Sequence, residues 1–327
     1  MSMNGRNGHY DIIGDIHGHA ELLEALLLKL GYEYDRGVYR HPGRTAVFVG
    51  DLIDRGPQNF KVLEMVKPMV EEGFALIVMG NHEYNALCFH TRDSEGKFLR
   101  PHSAKNISQH KEVLAEIAGQ GESRWEIYLE WFRRMPLFLE LEGIRVVHAC
   151  WDHESIDFVK NNNIRDNRGR LSDGFLVRSA RPGTDAYAAI DALLKGLEIP
   201  LPPNHTGVYD RDGILRTDLR LKWWMNRHER EQVRTYDQAV RADGNALENI
   251  LGLEIPGDIL ATIKTPGQNE TGDSPPVFFG HYWFTGVPQL LGDTLACLDY
   301  SAARGGKLAC YRWDGEHILN PAKFAWV

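Results

Sequence analysis

The chain has 327 residues and a formal net charge of −8 at pH 7, with 43% hydrophobic and 25% charged residues. That is the balance of a globular protein long enough for one large α/β domain or two of ordinary size, and its acidity argues against stable nucleic-acid binding, which calls for a basic surface. Cys88, Cys150, Cys297 and Cys310 are scattered with no Cys-x-x-Cys pair, so neither a disulfide framework nor a structural zinc site is indicated. Reduced thiols imply the cytoplasm. No secretory signal is apparent at the start and no stretch approaches the roughly 20 apolar residues of a membrane span, so no membrane partner is expected.

In chain order, Tyr10 to Ile13 reads as a short buried strand, Gly14 to Gly18 as a loop, and Ala20 to Leu30 as a helix with leucines on one face. A strand over Thr45 to Val49 leads into a loop and a helix starting near Pro57, a favoured first-turn residue. Phe74 to Met79 is a third apolar run that ends at Gly80, with helix from Glu83 onward. Three strand-loop-helix units in succession predict an α/β layered fold whose ligand site lies at the carboxyl ends of the strands. Residues 105 to 134 read as two helices, with Trp125, Tyr128, Leu129 and Phe132 spaced as a buried stripe. Leu137 to Leu141 and Ile144 to Val147 form a hairpin around Glu142-Gly143. Beyond it, Asn161 to Gly174 is polar and turn-rich, Thr184 to Lys195 is helical, and Pro200, Pro202 and Pro203 mark a break. Val277 to Phe279, Thr294 to Leu298 and Leu308 to Trp313 restore strand character. The chain therefore reads as one domain over 1–327 with an insertion or cap over 155–270.

The strands deliver a recurrent vocabulary: Gly14-Asp15-Ile16-His17-Gly18, Gly50-Asp51-Leu52-Ile53-Asp54-Arg55-Gly56, Gly80-Asn81-His82-Glu83, Val147-His148-Ala149 and Gly280-His281. Carboxylate, amide and imidazole are the donors that hard divalent cations take, and two cations about 3.5–4 Å apart with a shared water are what hydrolysis at phosphorus requires at neutral pH. One such cluster is commonplace as a turn or helix cap. Five in order are not. The glycines before the ligands fit turns with unusual backbone angles or close approach.

This ordered set resembles the calcineurin-like metallophosphoesterase superfamily, and within it the phosphoprotein-phosphatase branch of Ser/Thr phosphatases and symmetrical diadenosine tetraphosphatases. The match covers residues 10 to 149, Gly280-His281 and the tail around Gly305-Gly306-Lys307-Leu308. Asp54-Arg55-Gly56 and Gly280-His281-Tyr282-Trp283, in place of Gly-His-x-His, point to that branch. The resemblance implies an α/β/β/α sandwich with helical and irregular insertions, and two divalent cations, manganese first, with iron, zinc or magnesium also compatible. It gives Asp15 and His17 to the first metal, Asp51 to both, and Asn81, His148 and His281 to the second. A metal-bound hydroxide would attack phosphorus, His82 would protonate the leaving oxygen with Asp54 orienting its ring, and Arg55 would bind phosphate. The physical chemistry agrees: a carboxylate fixes the histidine's other nitrogen and a guanidinium fork spans two phosphate oxygens.

The substrate is left open between a phosphorylated protein and a dinucleoside polyphosphate, as is the oligomeric state. For a second phosphate-binding arginine the chain offers Arg178, at a spacing from His148 that departs from the family pattern, and Arg227. Arg211, Arg216, Arg220, Lys222, Arg227, Arg230 and Arg234 surround Trp223-Trp224; they read equally as a wall for a polyanionic or nucleobase-bearing substrate and as a solvated face with one buried tryptophan. His19 suits a helix start or a supporting role, and Glu83 either braces His82 or serves the helix dipole. A catalytically inactive metal-binding scaffold should lack the bridging carboxylate, the acid or the phosphate arginine, yet Asp51, His82 and Arg55 are all present.

Overall fold

A computed structural model of the chain describes residues 8–162, 171–209, 213, 215–242, 244–264 and 274–327. It divides into two compact units, one formed by Met1–Lys195 with Pro275–Val327, the other by Gly196–Ser274.

In the first unit a six-stranded sheet runs Asp299–Tyr300, Lys307–Trp313, Tyr10–Ile13, Thr45–Phe48, Ala75–Ile77, with Phe324–Trp326 also paired to Lys307–Trp313. Tyr10–Ile13, Thr45–Phe48 and Ala75–Ile77 are parallel, in register Ile12 to Val47 to Leu76, while Lys307–Trp313 runs antiparallel to the first of them. A four-stranded sheet follows the order Leu295–Cys297, Val277–Phe279, Ile144–Val147, Phe138–Leu141. Alternate strand residues share a face, and Tyr10, Ile12, Val47 and Tyr311 from the first sheet join Leu139, Val146 and Phe278 from the second in one buried cluster. The two sheets therefore face each other.

Helices cover the outer faces. Helix Ala20–Leu30 buries Leu23, Leu26, Leu27 and Leu30, the i, i+3, i+4, i+7 stripe of an amphipathic helix, and packs on strands Lys307–Trp313 and Phe324–Trp326. Each leucine so buried is worth about 1.5–3 kcal/mol. The helix stops at Gly31, whose left-handed backbone (φ 91°) lets its N–H reach Leu27 and Leu28 carbonyls. Helix Asn59–Glu71 packs on strand Ala75–Ile77. Helix His153–Asn162 ties to the second sheet through Lys160 Nζ, which donates to Glu140 at 2.8 Å. This is the α/β/β/α layering, and the strands of the two sheets hand their ligand-bearing loops to one end.

Several local expectations need correction. Residues 105–134 hold three helices, Ala104–Gln109, Lys111–Gln120 and Glu122–Phe132, because His110 closes one and opens the next and Gly121 (φ 99°) breaks the run. In the last of these Leu129 is half-buried and Trp131 takes its place in the buried stripe. A hairpin, Glu33–Asp35 with Val38–Arg40, was not anticipated; its strands are three residues each, too short for periodicity to show. Its turn is Arg36-Gly37, both at positive φ, as a two-residue hairpin turn requires. The polar stretch 161–174 is helical at both ends, within His153–Asn162 and Asp173–Ser179, and 163–170 lie outside the described residues.

An insertion was expected over 155–270, whereas helices His153–Asn162, Asp173–Ser179 and Asp185–Lys195 pack on one another inside the first unit. The second unit pairs Glu198–Pro200 with Asp218–Arg220 and Val208–Tyr209 with Leu215–Arg216. It buries Ile199, Leu219, Met225, Tyr236 and Ile250 in a core of its own. Among the described residues no helix is long and apolar enough to cross a membrane.

Candidate metal centre

The strand ends carry the predicted residues in a strained backbone. His17, Asp51, Asp54, Arg55 and His281 all have φ between 49° and 72°, a left-handed region that costs a non-glycine residue about 1–3 kcal/mol and that persists where surrounding structure enforces it. Gly280 is there because a Cβ at that position would overlap the Asp15 carboxylate, and Gly50 combines φ 95° with contact against the Gly80 backbone. The sequence supplies these turns so that loops from separate strands can meet closely.

Asp51 is the centre. Its Oδ1 accepts the His82 backbone N–H at 3.0 Å, while Oδ2 lies 3.5 Å from His17 Nε2, 3.4 Å from His148 Nε2 and 3.9 Å from His82 Nε2. It thus belongs to two buried groups with ligand atoms inside 4.8 Å, one with His17 and His82, the other with His148 and His281. Asn81 Oδ1 lies 3.1 Å from His148 Nε2, and Asp15 Oδ2 accepts the His281 backbone N–H at 3.1 Å. All six predicted ligands are therefore interlinked.

The donor set fits cations. His17 Nδ1 donates to the Ile53 carbonyl at 3.0 Å and His148 Nδ1 to the Val49 carbonyl at 2.8 Å, which leaves a lone pair on each Nε2, the usual support for a metal-binding imidazole. His17 Nε2 and Asp15 Oδ1 are buried without hydrogen-bond partners, an arrangement that costs free energy unless something else satisfies them. At His148 Nε2 the acceptors Asp51 Oδ2 and Asn81 Oδ1 converge, so a positive charge is needed there. In the bare protein a proton fills that need: burial lowers the His148 pKa, but the Asp51 carboxylate outweighs it and carries the ring up to about 10. Burial and the nearby Asp299 carboxylate raise Asp15 well above the usual carboxylate range, and burial pushes His17 down to about 3. Two divalent cations would relieve all three at once.

Beside the ligands stands a hydrogen-bonded chain. His82 Nδ1 donates to Asp54 Oδ2 at 2.6 Å, and the other oxygen, Oδ1, accepts from His110 Nδ1 at 2.7 Å. His110 Nε2 in turn meets His90 Nε2 at 3.3 Å. Burial would lower the His82 pKa, yet the carboxylates of Asp51 and Asp54 outweigh it and raise the imidazole. Asp54 is held well below the carboxylate range because its two imidazole hydrogen bonds exceed the penalty of burial. Glu83 braces more than its neighbour: Oε2 accepts the N–H groups of Asp51 and Gly80, and Oε1 that of Leu52. It locks the second and third loops together and does not contact His82's ring through any of these bonds.

Of the two candidate phosphate arginines, Arg178 is exposed, donates to the Asn162 carbonyl at 3.0 Å and lies over the Phe175 ring. Arg227, in the second unit, pairs with Glu231 at 2.9 Å. The structure links neither to the ligand cluster. Trp223 is buried and Trp224 half-buried, edge to face at 6.3 Å, and Arg211 lies outside the described residues. His19 precedes helix Ala20–Leu30 without a side-chain capping bond. Sequence reasoning missed His110, which no motif marks, and Asp299. The latter follows strand Leu295–Cys297 as the other acids follow theirs, so the same signal would have found it.

The arrangement brings the six expected ligands together around Asp51, in two buried groups that could hold metal ions, with the His82–Asp54 pair beside them. The family model for calcineurin-like phosphoesterases matches residues 9–227, and the chain belongs to that family. It is similar to the bis(5'-nucleosyl)-tetraphosphatase PrpE [asymmetrical] of Oceanobacillus iheyensis, 39% identical over 142 residues, 42% of this chain and 54% of the relative. The protein of the same name from Bacillus subtilis (strain 168) is 35% identical over 141 residues, 43% and 56% of the two chains. The chain thus spans about half the length of the curated relatives it matches. Among solved structures, a protein serine/threonine phosphatase from Saccharomyces cerevisiae aligns with 14% identity and TM-score 0.48, over 98% of this chain and 78% of that one.

Proposed function

We propose that the protein is a two-metal phosphoesterase acting on dinucleoside polyphosphates. The carrying observation is Asp51, whose one carboxylate oxygen stands between two buried groups of imidazoles. Asp15 and His17 would hold one cation, Asn81, His148 and His281 the other, with Asp51 shared. The cations, manganese by the resemblance of the motifs, supply Lewis acidity and an activated water.

The chain's own residues do the rest. Arg55 holds phosphate oxygens and opposes charge building on them. His82 gives its Nε2 proton to the leaving oxygen, and Asp54 favours the protonated ring and keeps it aligned by accepting from Nδ1. The names of the PrpE relatives support the substrate class, and four buried free thiols support work in the cytoplasm.

The test is kcat/KM with manganese on diadenosine tetraphosphate, phosphopeptides and mononucleotides. Preference for the dinucleotide is expected, and its products, two equal or two unequal nucleotides, assign the scissile bond. Efficient phosphopeptide cleavage with no dinucleotide turnover overturns the substrate class.

A further inference from the structure

Two loops at the site do more than carry a ligand. His281, Trp283 and Ser301 all have left-handed backbone, φ 72°, 50° and 60°, although none is glycine and each conformation costs free energy. The buried Asp299 holds the last two: Oδ2 accepts the Trp283 N–H at 2.7 Å and Oδ1 the Ser301 N–H at 3.0 Å, while the His281 N–H goes to Asp15. The Phe284 N–H donates to the Asp299 carbonyl at 2.9 Å and Ser301 Oγ to the Phe284 carbonyl at 3.0 Å. What this framework presents is the half-buried Trp283 ring and, three residues after Ser301, the exposed Arg304.

Both Arg304 and Arg55 lie against that ring, their guanidinium carbons 5.2 Å and 4.8 Å from its centroid. Arg55 Nε is buried without a hydrogen-bond partner. Two cations on one indole gain from its π face but repel each other. An anion reached by both forks removes the repulsion and gains charge-assisted hydrogen bonds.

We propose that Arg55, Trp283 and Arg304 form a subsite for a phosphate next to the one being attacked, so that the protein selects chains of phosphates over monoesters. The proposal rests on the phosphoesterase reading and deepens it. Arg55 follows Asp54 directly and so extends from the His82–Asp54 pair, while Trp283 lies two residues beyond the proposed ligand His281. In this proposal Arg55 serves the phosphate under attack and Arg304 the next one. Trp283 is the ring that both guanidinium groups contact, and Asp299 holds its backbone in place.

The experiment compares wild type with Arg304→Gln by titration calorimetry of inorganic tripolyphosphate and of orthophosphate into chelator-treated protein, with adenosine as the base probe. Arg304→Gln should weaken tripolyphosphate roughly 10-fold, consistent with about 1.5–3 kcal/mol for a hydrogen bond to a charged group partly recovered by water, and orthophosphate much less. In the manganese-loaded enzyme it should raise KM for diadenosine tetraphosphate several-fold more than for p-nitrophenyl phosphate. Asp299→Asn should weaken tripolyphosphate in the same direction by loosening the Trp283 backbone, with Arg304→Lys retaining part of the binding. Equal weakening of both phosphates, unchanged tripolyphosphate binding, or a loss confined to adenosine would each overturn the subsite. If wild type ignores dinucleotides yet binds tripolyphosphate through Arg304, the substrate reading fails and the subsite stands.

Discussion

The two units of this protein are built on opposite principles. Among the described residues every buried aspartate, glutamate, histidine and asparagine lies in the first unit, and seven of the eight non-glycine residues at positive φ fall in its site loops. The described residues of the second unit, Gly196–Ser274, show neither feature; they pack an apolar core around Ile199, Leu219, Tyr236 and Ile250. The first unit thus carries desolvated charge and backbone strain, which lower stability, beside the buried apolar cluster between its two sheets. The difference marks where the chemistry is held and where ordinary packing suffices.

The sharpest way to break the contrast is Asp51→Asn. It should leave fewer than two metals per chain by elemental analysis and reduce turnover well beyond the ~10–100-fold typical of removing a ligand's supporting partner. Full occupancy with near-normal rate would remove Asp51 from the bridge. His82→Ala should retain the metals yet lose about 10²–10⁴ in kcat on substrates with poor leaving groups, and less on p-nitrophenyl phosphate. The sign of its pH dependence follows from the raised His82 pKa: the protonated ring is present below that value and is lost as pH rises through it. Activity should therefore fall on the alkaline side, and Asp54→Asn should move that fall to lower pH.

A contrasting change in the second unit is Ile250→Ala. The cavity should cost about 2–5 kcal/mol of stability, seen as a lower melting transition, with metal content unchanged. Coincident loss of both metals would mean that the two units are not energetically distinct. His110→Ala removes only a support of Asp54; a loss of roughly 10-fold in kcat with metals retained is expected, by analogy with other supporting partners of a reactive site. The smallest effect belongs to Trp224→Ala, within about 0.5 kcal/mol in stability for a half-buried surface residue. A selective rise in KM for the dinucleotide would sharpen the role of this unit, and parallel losses on all substrates would assign the tryptophan to structure.

Much of the first unit was legible before any coordinates. Strand Tyr10–Ile13, helix Ala20–Leu30 and strand Val277–Phe279 fall at their expected bounds, because short apolar runs closed by glycine and leucines at helical spacing are local signals. The residues that meet around Asp51 were legible for the same reason: each sits in a strand-to-loop motif of a few positions, and a resemblance can be read from order alone. What the sequence could not contain is the meeting of distant loops. That Asp51 Oδ2 faces three imidazoles, that Glu83 fastens the Asp51 and Gly80 loops, that His110 supports Asp54 from 56 residues away, and that the Trp283 ring meets both Arg55 and Arg304 are all products of sheet register and chain closure. Local composition determines which elements form and what chemistry each loop carries. Only the tertiary structure decides which side chains share a desolvated volume, since burial, electrostatic coupling and enforced backbone strain depend on neighbours far apart in the chain.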